Sequence, residues 1–252
     1  MRSEQAPPRA GVGKLGLCSG CVYYPEYLNS YRCTPGDACI RAHSGRQIDR
    51  FLRQNRDEAE KYLKDIFWER RAIAARYAAV DRIFELKSDI DEVVRRVVAS
   101  RLPTDQLIAM ISDPDREVRL SVAARLPEPL LLRLIDDPDY LIRATVARRL
   151  PHGQLAKMAK DSEREVRKVV ATRLPPFALH LLANDSEPEV RAVVAERALP
   201  GLAAAMLGDP EWWVRLAAVA NAPLEFLPPL AHDPEIEVRE AAQARLAESE
   251  AV

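Results

Sequence analysis

The sequence predicts an all-α solenoid of 24-residue repeats that follows a small cysteine-rich segment. Three observations predict it: arginines recur every 24 residues, an aspartate precedes each of them by six residues, and all four cysteines of the 252-residue chain lie between positions 18 and 39. Strands are not expected, because apolar and polar residues do not alternate and prolines are frequent. We therefore predict an N-terminal domain over residues 1–64 and a repeat domain over residues 65–252.

The composition is that of a folded protein, with 48% hydrophobic and 30% charged residues. The N-terminus lacks the continuous apolar core of a secretory signal, and no later run reaches the roughly 18 apolar residues that span a bilayer. We therefore expect a cytoplasmic protein that does not bind membranes. In that compartment disulfides are not the expected use of cysteines.

The net charge of −1 conceals an asymmetry along the chain. Residues 1–80 carry 14 lysines and arginines against 9 acids, a balance of +5, and the remainder carries 23 against 29, a balance of −6. Affinity for a phosphate backbone comes largely from cationic side chains. The acidic repeat domain is therefore a poor candidate for binding a polyanion.

The repeat is unusually regular, and its register holds over eight copies. Segments such as "SDPDREVRLSVAARLP" and "DDPDYLIRATVARRLP" share one pattern. The recurring arginines are Arg71, Arg95, Arg119, Arg143, Arg167, Arg191, Arg215 and Arg239. The aspartates six residues before them are Asp65, Asp89, Asp113, Asp137, Asp161, Asp185, Asp209 and Asp233.

Each copy is predicted to contain one helix of about 12 to 13 residues. The repeated aspartate is the expected N-cap, and in four copies a proline follows it at the expected first helical position. Val118, Val122 and Leu126 recur at intervals of four residues and predict an apolar stripe that packs against neighbouring copies. Pro127 is expected to end the helix.

The return segments, such as "PEPLLLRLID", are too short for a second full helix with its loops. Apolar pairs three residues apart, such as Leu131 and Leu134, predict a short 3-10 turn. Each unit would then bury its stripe only by stacking on the next. Residues 241–252 lose the apolar pattern and are expected to cap the C-terminal end.

The cysteines follow the spacing C-x2-C-x11-C-x5-C. An initial C-x-x-C lets two sulfurs of one tight turn reach the same metal centre, so four such thiols predict either zinc or an iron–sulfur cluster. The spacing alone leaves both open and slightly favours zinc, although a zinc ribbon usually ends in a second C-x-x-C. The candidate metal ligands are Cys18, Cys21, Cys33 and Cys39.

Aromatic and cationic residues surround the cysteines. The tyrosines are expected to shield a bound cofactor, and the arginines could offset the negative charge of four thiolates or be an ordinary solvated face. His43 is a weak candidate for a substitute ligand. The residues concerned are Tyr23, Tyr24, Tyr27, Tyr31, Arg41, Arg46, Arg50 and Arg53.

The cysteine arrangement and the "DPxxxVRxxVAxRLP" period together resemble the leucine-rich repeat variant family, in which an N-terminal iron–sulfur domain precedes 24-residue repeats. The resemblance covers nearly the whole chain. It implies a 4Fe-4S cluster on the four cysteines, a right-handed superhelix that alternates α and 3-10 helices, and a setting related to nitrogen fixation. Departures are small: the proline after Leu199 is shifted to Pro200, and Asn221 replaces the second arginine of its repeat.

The function expected from these features is a non-catalytic scaffold for a protein partner, with a cluster that senses redox state or transfers electrons. One alternative is a purely structural metal cap. A second is nucleic-acid binding by the repeated arginines, although each has a matched aspartate and is expected to be paired and half-buried. No enzymatic motif is present, and the four histidines occupy unmatched repeat positions. The sequence does not predict an oligomeric state.

Overall fold

The chain divides into two compact units, Met1–Arg125 and Leu126–Val252. A computed structural model describes residues 15–250 of them. Over these residues the chain is helical, and its nearest approach to sheet is an isolated antiparallel bridge between Thr34 and Ala38. The division falls within one copy of the repeat, between Arg125 and Leu126, so a domain boundary between residues 64 and 65 stays a prediction.

The first unit contains the cysteine segment and the first repeats. Its α-helices are α1 (Glu26–Asn29), α2 (Gly45–Gln54), α3 (Trp68–Tyr77), α4 (Val80–Ile83), α5 (Glu92–Arg101) and α6 (Arg116–Arg125). Its 3-10 helices are Leu15–Cys18, Arg56–Tyr62, Phe84–Ser88 and Leu107–Met110.

The second unit contains only repeats. Its α-helices are α7 (Tyr140–Arg149), α8 (His152–Leu155), α9 (Arg164–Arg173), α10 (Pro188–Arg197), α11 (Pro200–Met206), α12 (Trp212–Val219) and α13 (Ile236–Glu250). Its 3-10 helices are Glu128–Leu134, Ala156–Met158, Pro176–Leu181, Leu224–Phe226 and Pro228–His232.

The predicted alternation of one α-helix with a short return turn is confirmed in both units. The principal helices are shorter than expected, at ten residues in most copies. Most return segments are 3-10 helices, as predicted. The segment that carries the shifted Pro200 forms the seven-residue α-helix α11 instead.

The repeated aspartate is not the N-cap, so that prediction is wrong. The N-cap of α5 is Asp91, whose carboxylate accepts a hydrogen bond from the amide of Val93 at 2.9 Å. Asp89, two residues earlier, accepts from the amide of Asp91 at 2.9 Å in an Asx turn that leads the chain into the helix. The prolines that follow the aspartate therefore lie before the N-cap and not at the first helical position.

Proline ends the helices as predicted. Leu102 has extended backbone (φ −56°, ψ 147°), the conformation that a following proline favours, and its amide closes the last turn on the carbonyl of Val98 at 2.9 Å. In the last repeat, Ala247 occupies the position that Pro103 has in the earlier copy. Without that proline, α13 continues for 15 residues.

The predicted apolar stripe is buried. Val118, Val122 and Leu126 are all 0% exposed, and Leu131 and Leu134 of a return segment are also buried. Within the second unit, α7 packs on α9, α9 on α10, and α10 on α12. The N-terminal domain covers the first repeat, because α2 and the 3-10 helix Arg56–Tyr62 both pack against α3.

Ion pairs join consecutive repeats. In each pair the guanidinium Nε and Nη2 donate to both carboxylate oxygens of an aspartate 18 residues later, at 2.6 to 3.0 Å. The pairs are Arg71 with Asp89, Arg95 with Asp113, Arg143 with Asp161, Arg167 with Asp185, Arg191 with Asp209, and Arg215 with Asp233. We call this set the ladder. Because each arginine reaches into the next copy, the ladder fixes the register of the stack.

No helix among the described residues is both long and apolar enough to cross a membrane.

Candidate metal centre

Two tight turns place the four cysteines in pairs. The first turn joins Cys18 and Cys21: the amide of Cys21 donates to the carbonyl of Cys18 at 3.1 Å, and Gly20 between them has φ +67°. An L side chain rarely adopts that conformation, so glycine suits the position. Both thiols are free and partly buried.

The second turn explains the unusual C-x5-C spacing. Thr34 and Ala38 exchange two backbone hydrogen bonds of 2.9 Å, which close the segment "TPGDA" into a small hairpin with Gly36 at φ +79°. Cys33 and Cys39 flank the two bridged residues and are therefore brought together. The Pro-Gly dipeptide was the sequence signal for this hairpin.

The thiols of the two pairs raise one another's pKa. Burial, followed by the charges of Cys39, Cys18 and Cys21, raises the pKa of the Cys33 thiol to about 11. Burial and the charges of Cys39 and Cys21 likewise raise the pKa of Cys18, and the positive charge of Arg41 opposes the rise. Four thiolates here would repel one another, and bound metal cations would relieve that repulsion.

The chemistry of the donor set, four unbridged thiols, fits an iron–sulfur cluster. Across the described residues no three His, Cys, Asp or Glu side chains form a group that could hold a single metal ion. The proximity of the thiols therefore rests on the two turns and on their mutual charge effects.

The buried carboxylate of Glu58 anchors the segment between the two pairs. The hydroxyls of Tyr23 and Tyr27 donate to its two oxygens at 2.6 and 2.7 Å, and Lys61 lies 2.5 Å away. Burial alone would raise the pKa of Glu58, but the hydrogen bonds from Lys61, Tyr23 and Tyr27 lower it to about 2. The rings of Tyr23 and Tyr27 also pack on Phe51 of α2, with centroids 5.3 and 6.2 Å away.

Asn55 makes a second anchor at the end of α2, where it is 0% exposed. Its amide donates to the carbonyls of Arg32 and Phe51 at 2.8 Å, and its oxygen accepts from Nε of Arg32 at 2.7 Å. Arg32 in turn stacks over Tyr27, 4.2 Å from the ring centroid, and pairs with Asp57. The residue next to Cys33 is thereby fixed to the body of the domain.

The structure divides the four tyrosines that are expected to shield a cofactor. Tyr23 and Tyr27 are buried, but they anchor the segment to Glu58 and Phe51. Tyr24 and Tyr31 are 52% and 59% exposed. A tyrosine with a carboxylate acceptor is drawn into the core, and only two of the four find one.

The arginine series divides in the same way. Arg50 donates to Asp37 and Arg53 to Asp49, so their charges are balanced by neighbouring acids. Arg46 is exposed on α2, as is His43 before it. Among the described residues of the series, Arg41 is the one that contacts the Cys18–Cys21 turn, where its Nη1 donates to the carbonyl of Ser19.

The repeated arginines, the candidate nucleic-acid surface, point into the protein. Ladder arginines are 11 to 13% exposed. The second arginine of a repeat donates to carbonyls of the preceding one, as Arg173 does to Ala147 and Leu150 at 2.7 and 2.8 Å. Asn221 reproduces this contact through the carbonyl of Ala195 at 3.0 Å. The prediction of paired, half-buried arginines is confirmed for these residues.

Two family models match the chain. One, described as "LRV protein FeS4 cluster", matches residues 12–61, and the other, "Leucine rich repeat variant", matches residues 116–139 and 212–235. The first match contains all four cysteines. The family that this first model describes implies an iron–sulfur cluster.

A solved structure titled "A leucine-rich repeat variant with a novel repetitive protein structural motif" is similar over 91% of this chain and 98% of its own, with 52% identity and a TM-score of 0.86. A curated relative from Rhodobacter capsulatus, named "Uncharacterized 27.7 kDa protein in nifB 3'region", is 37% identical over 100 residues. That alignment spans 40% of each of the two proteins.

Proposed function

This chain belongs to the leucine-rich repeat variant family, and from that premise we propose that it is a non-catalytic scaffold for a protein partner with a redox-active 4Fe-4S cluster. The cluster would be held by Cys18, Cys21, Cys33 and Cys39. The observation that carries the proposal is the pairing of these free thiols by two turns, with each pair in the electrostatic field of the other.

A bound cluster would supply one-electron chemistry. The protein's own residues hold the ligands in place: the 18–21 turn presents one pair of thiols, and the 34–38 hairpin presents the other. Tyr23 and Tyr27, bonded to Glu58, keep the connecting segment fixed between them. Because Cys39 is buried and the other three thiols are partly exposed, one side of the site is open to electron exchange.

The scaffold role is supported by the way the repeats use their charged residues. The ladder and the second arginines are satisfied by internal acceptors, which leaves other side chains to form the outer surface. Large apolar side chains such as Ile66, Ile90 and Phe177 stand 98%, 91% and 74% exposed on the repeats. We favour a protein over a nucleic acid as the partner because the ladder arginines are committed to aspartates and offer little charge to a phosphate backbone.

A purely structural metal is the second candidate function. The observation that favours it is the packing of α2 and of the 3-10 helix Arg56–Tyr62 against α3, because this packing connects the cysteine segment to the first repeat. A metal that fixes the segment would then stabilise the repeats. Loss of helicity on metal removal, without any redox activity of the native protein, would identify this role.

The proposed setting is nitrogen fixation in the cytoplasm. Its support is the name of the curated relative, which places that protein's gene beside nifB. Expression of this chain under nitrogen-fixing and non-fixing conditions tests the setting.

Reductive titration tests the redox role. We expect the anaerobically isolated chain to take up about one electron from dithionite with loss of its visible absorbance. Cys33→Ser should lose both signals, and Ser19→Ala, a neighbouring change that removes no thiol, should keep them. An iron-loaded protein that accepts no electron would contradict the redox role.

Anaerobic affinity capture tests the scaffold role, with the wild-type chain and a variant in which all four cysteines are changed to alanine as baits. We expect one partner protein to be retained stoichiometrically by the wild type and released when the cluster is removed. Equal retention by both baits would separate the scaffold from the cluster and contradict a redox switch.

A further inference from the structure

Arg41 lies against the turn that carries the first two cysteines. Its Nη1 donates a hydrogen bond to the carbonyl of Ser19, between Cys18 and Cys21. The same Nη1 also lies close to Gly20, because a Cβ built on Gly20 would be 3.7 Å from it. The guanidinium therefore connects the chain just after Cys39 to the turn formed by the other pair, and so joins the two halves of the site.

Among the described residues, no acid balances the charge of Arg41. Across residues 16–248 no carboxylate lies within ion-pair distance of Arg41, whereas Arg32 and Arg50 pair with Asp57 and Asp37. Because its Nη1 contacts the Cys18–Cys21 turn, the charge of Arg41 lies beside two of the proposed ligands.

We propose that Arg41 is a positioning residue of the metal site, which fixes the Cys18–Cys21 turn through Ser19 and raises the reduction potential of the bound cluster. The inference rests on the proposed function. Reduction adds one negative charge to the cluster, and a nearby cation that no acid neutralises stabilises the added charge. Because Arg41 is exposed, water screens the effect and keeps it moderate.

Three variants test the inference. Arg41→Gln removes the charge and, because its side chain is shorter, also the hydrogen bond to Ser19, whereas Arg41→Lys keeps the charge. Arg46→Gln is the matched control, because Arg46 is an exposed arginine of the same domain and its loss changes the net charge equally. Each full-length chain is isolated anaerobically, assayed for iron and sulfide, and titrated with a reductant at a series of fixed potentials.

For Arg41→Gln we expect the ratio of reduced to oxidised cluster at a fixed potential to fall on the order of threefold to tenfold below that of the wild type. Arg41→Lys should stay within about twofold of the wild type, and Arg46→Gln should match it. If Arg41→Gln retains no cluster while both other variants do, the positioning role is supported directly.

Hydrogen exchange in the cluster-free protein gives a second readout. The amide of Cys21 closes the turn on Cys18, so we expect its exchange to accelerate in Arg41→Gln and not in Arg46→Gln. Unchanged exchange overturns the positioning role.

The outcomes separate this inference from the proposed function. A fully loaded Arg41→Gln with the wild-type ratio, or equal shifts in Arg41→Gln and Arg46→Gln, overturns the charge role and leaves the cluster standing. A wild-type chain that holds zinc without sulfide overturns the proposed function and the charge role together.

Discussion

Glu58 shows how much of the N-terminal domain depends on one buried side chain. Its two carboxylate oxygens accept from Tyr23 and Tyr27, and Lys61 completes its surroundings. Burial, followed by the hydrogen bond to Glu58, raises the pKa of Tyr27 to about 12. The carboxylate therefore holds the cysteine segment in place without contacting a cysteine.

Glu58→Gln should destabilise the domain by about 2 kcal/mol at pH 7, because an ionised acceptor of two buried hydroxyls is replaced by a neutral amide. Urea unfolding followed by the near-ultraviolet signal of the tyrosines measures this. Glu60→Gln is the control, since Glu60 is exposed and pairs only with Arg82. Equal stability of the two variants would contradict the anchor.

The same carboxylate predicts a pH dependence. Its pKa is lowered from 4.5 to about 2 in the folded chain, so its contribution is present above pH 4.5 and is lost as the pH falls towards 2. The stability difference between wild type and Glu58→Gln should therefore shrink between pH 4.5 and 2. If the stability difference between the two proteins grows on acidification, folding raises the pKa of Glu58 and does not lower it.

At this scale the sequence identifies the candidate ligands but not the anchors. Four cysteines in 22 positions indicate a metal site on chemistry alone. Glu58 and Asn55 carry no such signal, because a polar residue becomes an anchor only when folding buries it beside donors from distant positions. For the same reason the sequence does not show that Tyr23 and Tyr27, and not Tyr24 and Tyr31, bond to Glu58.

Among the elements, the repeat helix shows which features a sequence period predicts and which it does not. The stripe, the return turn and the proline stop follow from spacing and from the geometry of proline. The position of the N-cap does not, because each ladder aspartate meets an arginine from the preceding copy. A periodic sequence places the arginine and the aspartate in every copy without showing which copies pair.

Asp113→Ala and Asp115→Ala separate the two roles. Asp113 pairs with Arg95 across repeats, and its loss leaves a buried guanidinium without its carboxylate, at a cost of about 3 kcal/mol. Asp115 caps the amides of Glu117 and Val118, and its loss should cost about 1 kcal/mol. Urea denaturation followed by circular dichroism compares them, and a larger loss for Asp115→Ala would contradict the greater cost expected for breaking the pair between repeats.

Gly36→Ala tests the hairpin between Cys33 and Cys39. With φ at +79°, an alanine is strained by about 1 to 2 kcal/mol, so the two thiols should separate more readily and the chain should retain less iron. Gly153→Ala is the control, because Gly153 lies in helix α8 and nothing within 4 Å would meet the added Cβ. Equal iron content in the two variants would mean that the hairpin does not position the ligands.

For the whole molecule, the architecture could be predicted because every repeat has the same spacing of aspartate, arginine and apolar residues. A solenoid buries its apolar stripe only through its neighbours, so eight copies in one register leave little freedom in the fold. The sequence predicts the function less well, because the residues on the surface of a scaffold are not constrained by the repeat pattern. The protein partner therefore stays a proposal.

The chain as a whole should not bind nucleic acid. Since the ladder arginines are committed to aspartates, a labelled DNA duplex and a labelled single-stranded RNA should show no anisotropy change with the full-length protein at low salt. Binding that weakens steeply as salt is added would contradict this expectation and revive the arginine array as a contact surface.

The most direct test of the account is the metal and sulfide content of the wild-type chain isolated without exposure to air. The account predicts about four iron atoms and about four sulfide ions per chain, and loss of both when Cys18, Cys21, Cys33 or Cys39 is changed to serine. One zinc ion per chain with no sulfide would contradict it.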